Sequence, residues 1–177
     1  AGAPSLSLEF PFKDNRDNWK SKPNQYVSRL LNSQEENSLF SYLTDEGFIE
    51  GGGASINPNA WGADGAVFID FTLTNKGVNN KDLIIDLAFK YINLISLNGI
   101  NKKYFDEMKA INDREFKDYT PPEALSMAVN FGRQIFDVPV KNLIDYNLKT
   151  DSYNENAIKD VLSQLSPSKV RIYHLSP

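Results

Sequence analysis

The sequence predicts an α+β fold: a single mixed or antiparallel sheet with helices packed on one face. Three observations carry this. Two segments, Ser5–Phe12 and 66–74, alternate apolar and polar residues with the period of a half-buried strand. Long stretches in the middle of the chain repeat apolar residues at helical spacing instead. The last strand-like segment, 169–176, lies at the far end, beyond the helices. Strands at both ends around a helical middle suit one sheet covered on one side.

Taken in order, "SLSLEFPF" reads as the first strand, with Pro11 near its end or on an edge, where a missing N–H costs little. "KDNRDNWKSK" is a polar loop. Pro23 stands where a helix starts, with Tyr26, Val27, Leu30 and Leu31 on one face. A short helix follows from Ser38, a good N-cap, to Gly47, a good C′ residue. Residues 49–57 and 66–74 are two strands joined by the turn-rich "NPNAWGADG", hence a hairpin. In the second of them Val67, Ile69, Phe71 and Leu73 share one face, with Phe68, Asp70, Thr72 and Thr74 on the other. A long helix spans 78–97, capped by Asn79 or Asn80 and closed by Asn98-Gly99. Asn101 caps another through Phe116, Pro122 opens one through Phe136, and Asn154 caps one through Leu165.

Composition narrows the function. A chain of 177 residues is most simply one domain, able to bury roughly 70% of its unfolded surface. Nineteen Lys and Arg against 23 Asp and Glu, a net charge of −4, give no electrostatic footprint for nucleic acid or an anionic membrane. No apolar run reaches the ~20 residues that span a bilayer. The absence of cysteine excludes thiolate nucleophiles and Cys-ligated zinc. One histidine, His174, cannot build a zinc site by itself, and no Gly-x-Ser-x-Gly elbow is present. No catalytic and no metal-ligating residue is therefore expected. Trp19 and Trp61 lie in polar loops, where each can anchor a partner or fold back onto the sheet. The start at Ala1, with a strand almost at once, suggests excision from a longer chain, with residues 1–4 a linker remnant.

The stretch "EGFIEGGGASINP", Glu46 to Pro58, is the most informative. A phosphate loop needs its glycines to open a helix N-terminus, and these lead into a strand with no Gly-Lys-Ser/Thr behind them. Two readings remain: a glycine-rich bulge that only curves the sheet, or a flat strand whose backbone is open to a second chain.

The order and spacing of several pieces resemble a known family. "SLFSYLTDEGFIEGGGAS" (Ser38–Ser55), "FTLTNKGVNNKDLIIDLAFKYINLISLNGINKKYFDEM" (Phe71–Met108), "FDVPV" and "LSQLSPSKVRIYHLSP" are similar to the second domain of pitrilysin-like members of the insulinase family of zinc metalloendopeptidases. The likeness runs from about Leu6 to Pro177, through Leu43-Thr44-x-x-Gly47, Tyr91-Ile92-x-Leu94-Ile95 and Tyr104-Phe105-Asp106-Glu107.

The resemblance implies a domain that shares the peptidase fold but is catalytically inert. Zinc would sit in a preceding first domain, through a His-x-x-Glu-His motif missing from this chain. It also implies that Gly51, Gly52, Gly53, Ala54 and Ser55 form an exosite strand that takes one end of a peptide substrate as an added β-strand. Asn37 and Ser38 stand where the family has Gly-Ser or Gly-Thr beside the substrate-terminus pocket, so Asn37 departs from that pattern. The partners expected are the preceding catalytic domain and peptide substrates, with no nucleic acid and no membrane. A periplasmic or otherwise exported setting is implied by the same likeness. Two other readings stay open: a structural wall of the substrate chamber, and part of a non-catalytic subunit like those of the processing peptidases.

Overall fold

The computed structural model describes residues 2–60 and 63–176. Its architecture is the α+β arrangement expected: among the described residues, one fully antiparallel four-stranded sheet and a layer of helices. The strands are β1 (Ser5–Phe12), β2 (Ile49–Ala60), β3 (Ala63–Leu73) and β4 (Arg171–Leu175), in spatial order β2-β3-β1-β4. The helices are α1 (Pro23–Leu31), α2 (Leu39–Asp45), α3 (Asn75–Val78), α4 (Lys81–Leu94), α5 (Lys102–Lys117), α6 (Ala124–Gln134) and α7 (Glu155–Ser163). No single one among the described residues is long and apolar enough to cross a membrane.

The alternation read from β1 and β3 becomes the core. Leu6, Leu8, Phe10 and Phe12 pair directly with Phe71, Ile69, Val67 and Gly65, so both strands turn the same apolar face inward. Val67, Ile69, Phe71 and Leu73 are all 1% exposed or less. Tyr26 and Val27 of α1, Leu39 and Phe40 of α2, Ile84 and Ala88 of α4, Phe105 of α5 and Ile158 of α7 pack on that face in one continuous cluster. The opposite face carries Ser7, Asp70 and Thr72, and Ser7 Oγ donates to Asp70 Oδ1.

Local signals place most boundaries. Asn101 Oδ1 accepts from Lys103 N–H and Asn154 Oδ1 from Ala157 N–H, satisfying donors that a helix start leaves free. Gly47 takes the left-handed backbone (φ +70°) that ends α2. Pro11 lies past the last residue of β1 that pairs with β4, Glu9, so no bond is lost there.

Three details differ from expectation. The hairpin strands run on to Ala60 and from Ala63, through most of the stretch expected to be a turn. Trp61 falls outside the described residues. Thr74 does not extend β3; its hydroxyl caps α3 by accepting from Gly77 N–H. The helix expected over 78–97 is α4, Lys81–Leu94, closing in a π-type turn over Ile95–Gly99, and Asn80 occupies its N-cap position, its side chain donating back to Lys76 O rather than capping α4. Just before β1, Pro4 O accepts a hydrogen bond from Leu73 N–H.

Three buried or half-buried polar ties lock the helices in place. Tyr26, fully buried, donates its hydroxyl proton towards Gly99 O (2.6 Å) and accepts from Asn101 N–H (2.9 Å). Tyr91 Oη donates to Leu30 O at 3.0 Å, joining α4 to α1. Asn112 of α5 donates to Thr150 Oγ1 and exchanges bonds with Gln25 of α1. By contrast α6 buries no residue, and Leu125, Val129, Phe136 and Val140 leave an exposed apolar surface on it and on the segment that follows.

Tyr26→Phe keeps the ring and strands a buried N–H and carbonyl, so it is expected to cost about 1–3 kcal/mol, against ~0.5–1.5 kcal/mol for Tyr91→Phe. Urea unfolding of the two variants measures the difference. A loss at Tyr26 no larger than at Tyr91 would show that burial adds nothing to the ties its hydroxyl makes.

Candidate functional site: the free edge of β2

Strand β2 lies at the end of the sheet, so one side of its backbone has no strand partner. The register with β3 pairs Gly51 with Thr72, Gly53 with Asp70 and Ser55 with Phe68, and Gly52, Ala54 and Ile56 with the inward-facing Phe71, Ile69 and Val67. Ala54 gives both its backbone groups to the side chain of Asn32, away from β3. Alternation along an antiparallel ladder then turns Gly52 and Ile56 outward with Ala54, while Gly51, Gly53 and Ser55 bond to β3. Pro58, two further on, also belongs to the outward set, where a residue without an N–H breaks no ladder bond.

The five expected exosite residues are therefore together, in two roles. At the edge Gly52 turns its main-chain groups outward, while those of Ala54 are taken by Asn32. Gly51, Gly53 and Ser55 form a strip on the uncovered sheet face, and Gly53 and Ser55 line a depression of about 360 Å³ there with Ser5, Asp70 and Thr72. A register shift between Ile49 and Gly51 places a bulge at Glu50. A bulge of this kind is one of the two readings left open for the glycines.

The three glycines are not equivalent. A Cβ on Gly52 would stand 2.6 Å from Asp70 O and 2.7 Å from the Phe40 ring, so this glycine lets α2 settle on the sheet. A Cβ on Gly51 would meet nothing within 4 Å, and one on Gly53 only Asn32 Oδ1 at 3.5 Å, an ordinary contact. Neither has a positive φ. Packing inside this chain thus requires glycine at 52 and not at 51 or 53.

Asn37 and Ser38 lie elsewhere. Asn37 is left-handed (φ +64°), the conformation a glycine there would take and one Asn tolerates. Ser38 is buried at the start of α2, but its hydroxyl donates to Ser33 O and makes no cap bond to the helix. Both line an apolar cavity of about 400 Å³ between α2 and α4, with Tyr42, Leu87 and Tyr91. That cavity shares no lining residue with the depression beside the glycines.

Beyond Pro58 the edge meets a third cavity, of about 200 Å³, lined by Trp19, Lys22, Ile56 and Tyr146. Trp19 folds back, though onto Tyr146 (ring centroids 5.8 Å apart) rather than onto the sheet. Lys22 donates to Tyr146 O and lies over its ring; burial brings its amine down to about 8, against the ordinary 10.5. No group of three or more His, Cys, Asp or Glu able to hold a metal occurs among the described residues, and His174 is exposed on β4. The residues present do not fit zinc.

Among the described residues, then, the sheet has one edge without a strand partner and no cluster fit for a metal. The model of the Peptidase M16 inactive domain matches residues 2–112, and the chain belongs to that family. It is 31% identical over 172 residues to Protease 3 of Salmonella typhimurium (strain LT2), covering 97% of this chain and 18% of that protein. It is 30% identical over 172 residues to Insulin-degrading enzyme-like 1 of Arabidopsis thaliana, covering 95% and 17%. The crystal structure of pitrilysin superposes on all of this chain and 19% of its own with a TM-score of 0.91, at 28% identity. The chain spans about a fifth of the length of these relatives.

Two measurements check the geometry. Gly52→Ala is expected to destabilise by about 1–3 kcal/mol through overpacking. Gly51→Ala should be neutral or stabilising by ~0.4–1 kcal/mol through the unfolded chain. Thermal unfolding compares them, and a loss at 51 equal to that at 52 would contradict the packing described. Second, unfolded Lys22 binds its proton more tightly than folded Lys22. Between pH 8 and 10.5 the unfolded state therefore carries more proton, and stability rises with pH. Wild type measured against Lys22→Met should gain stability across that window and stay parallel below it. A flat difference would mean that Lys22 is solvated.

Proposed function

We propose that this chain is a substrate-binding domain of a pitrilysin-like zinc metalloendopeptidase. On this reading it holds one end of a peptide by strand addition to β2, while a preceding domain of the same parent chain cleaves at zinc. The observation that carries the reading is the pair Gly51 and Gly53, small where nothing in this chain requires it. A bare backbone strip beside an unpaired edge is what a second extended chain needs: main-chain bonds supply affinity and no side chain obstructs approach. The exposed apolar surface of α6 supports a place inside a larger assembly, facing the preceding catalytic domain. A purely structural role as chamber wall is favoured at one residue, Gly52, whose smallness the Phe40 contact accounts for.

The test uses the full-length parent with Lys at both 51 and 53, since lysine on an edge strand discourages pairing and both sites have room for a side chain. Cleavage of long peptides should weaken, by roughly tenfold or more in kcat/KM if two main-chain bonds are lost. Peptides too short to reach from the zinc to β2 should be cut as before. Equal loss for both lengths, or loss for neither, would leave the chamber-wall reading in its place.

A further inference from the structure

The free edge of β2 is not free along its whole length. Asn32, the residue after α1, lays its carboxamide against Ala54: Nδ2 donates to Ala54 O and Oδ1 accepts from Ala54 N–H, both at 2.8 Å. These are the two bonds that a residue of an added strand would make. The remaining Nδ2 proton goes to Ser28 O, also at 2.8 Å, so the carboxamide has three partners and a fixed orientation. Resting on the strand-addition reading, we infer that Asn32 is a register stop, which confines an added peptide to the Gly52 end of β2.

The physical case is one of exchange. A peptide that displaced Asn32 would replace two backbone bonds with two of the same kind. It would also leave the Asn32 amide without its Ala54 partners. The swap gains nothing in bonding and loses an arrangement that is already intramolecular. Gly52, exposed and two residues before Ala54, is the outward position that remains on the glycine side. Ile56 lies on the far side of the stop, so continuous pairing across Gly52, Ala54 and Ile56 is broken in the middle. An incoming chain therefore docks by its end, over a short span, and leaves β2 in the direction of Phe48 and Ile49. Asn32 thereby sets which part of a peptide is held, and it touches no reacting atom.

The test is amide hydrogen exchange read by NMR on this chain, with an extended, uncharged peptide tethered through its C-terminal end by a glycine-serine linker to the N-terminus. β1 begins two strands away from β2, so the tether spans about 10 Å and keeps the peptide at high local concentration. In the chain without peptide, Asn32→Ala should speed exchange at Ala54 on the order of tenfold and leave Gly52 unchanged. With the tether, wild type should gain protection at Gly52 and none at Ile56, and Asn32→Ala should extend the protection through Ala54 to Ile56. Protection of Ile56 in the wild type would overturn the stop while keeping strand addition. Unchanged exchange at Ala54 in the untethered variant would also overturn it, since Asn32 would then not hold that edge. Protection nowhere on β2, in either form, would remove the strand-addition reading and this inference with it. An otherwise unchanged spectrum of Asn32→Ala shows that the fold is retained.

Discussion

Everything here depends on the sheet burying one face and only one. The period of two along β1 and β3 sends Leu6, Leu8, Phe10 and Phe12 to the same side as Val67, Ile69, Phe71 and Leu73. A slip of one residue would turn either set to solvent, so the register is fixed by the largest favourable contribution in the molecule. Helices must cover that face, and the other is left to Ser7, Asp70, Thr72 and the glycine strip. The uncovered face and the terminal position of β2 follow from how the core is built.

An uncovered edge is a liability as well as an opportunity, because unpaired N–H and C=O groups recruit any extended chain. β2 manages it unevenly. Pro58 removes one outward donor, and Asn32 occupies both groups of Ala54. The glycine end carries no such device, and a side chain at 51 would have open space. One end guarded and the other left plain is a pattern that general protection against aggregation does not require. It does suit a strand that must accept a partner over a limited length.

Much of this was legible in the sequence, and the part that was not has a common cause. Strand alternation, the caps at Asn101 and Asn154, and the left-handed Gly47 are local signals, set within a few residues. The likeness between distant pieces of the chain and a family supplied what periodicity does not, namely that "GGGAS" belongs at an edge. What escaped depends on contacts between remote segments. Asn32 and Ala54 are 22 positions apart, and nothing around Asn32 distinguishes it from an ordinary helix end. Gly52 differs from its two neighbours because Asp70 O and the Phe40 ring both close on the space a Cβ would take. The end of α4 yielded to tertiary demands as well: its last turn widens, and the residues that follow deliver Gly99 O and Asn101 N–H to the buried Tyr26 hydroxyl.

The energetics of so short an edge bear on where it can work. A main-chain bond contributes about 0.5–1.5 kcal/mol net, and one outward residue offers two, so roughly 1–3 kcal/mol in all. Bringing a free peptide to the edge costs about 4–15 kcal/mol in lost freedom. On its own, an edge limited to Gly52 would hold a free peptide only at very high concentration. The same contact becomes useful once the peptide is confined for another reason, because the cost of association has then been met. It would then add an orientation preference to a chain already held, favouring one placement of the peptide by a factor of roughly five to 150. On the proposed reading a weak edge also releases what it holds, and a binding domain of that kind would have to let each fragment go before the next could enter. Guarding Ala54 would keep such a contact weak.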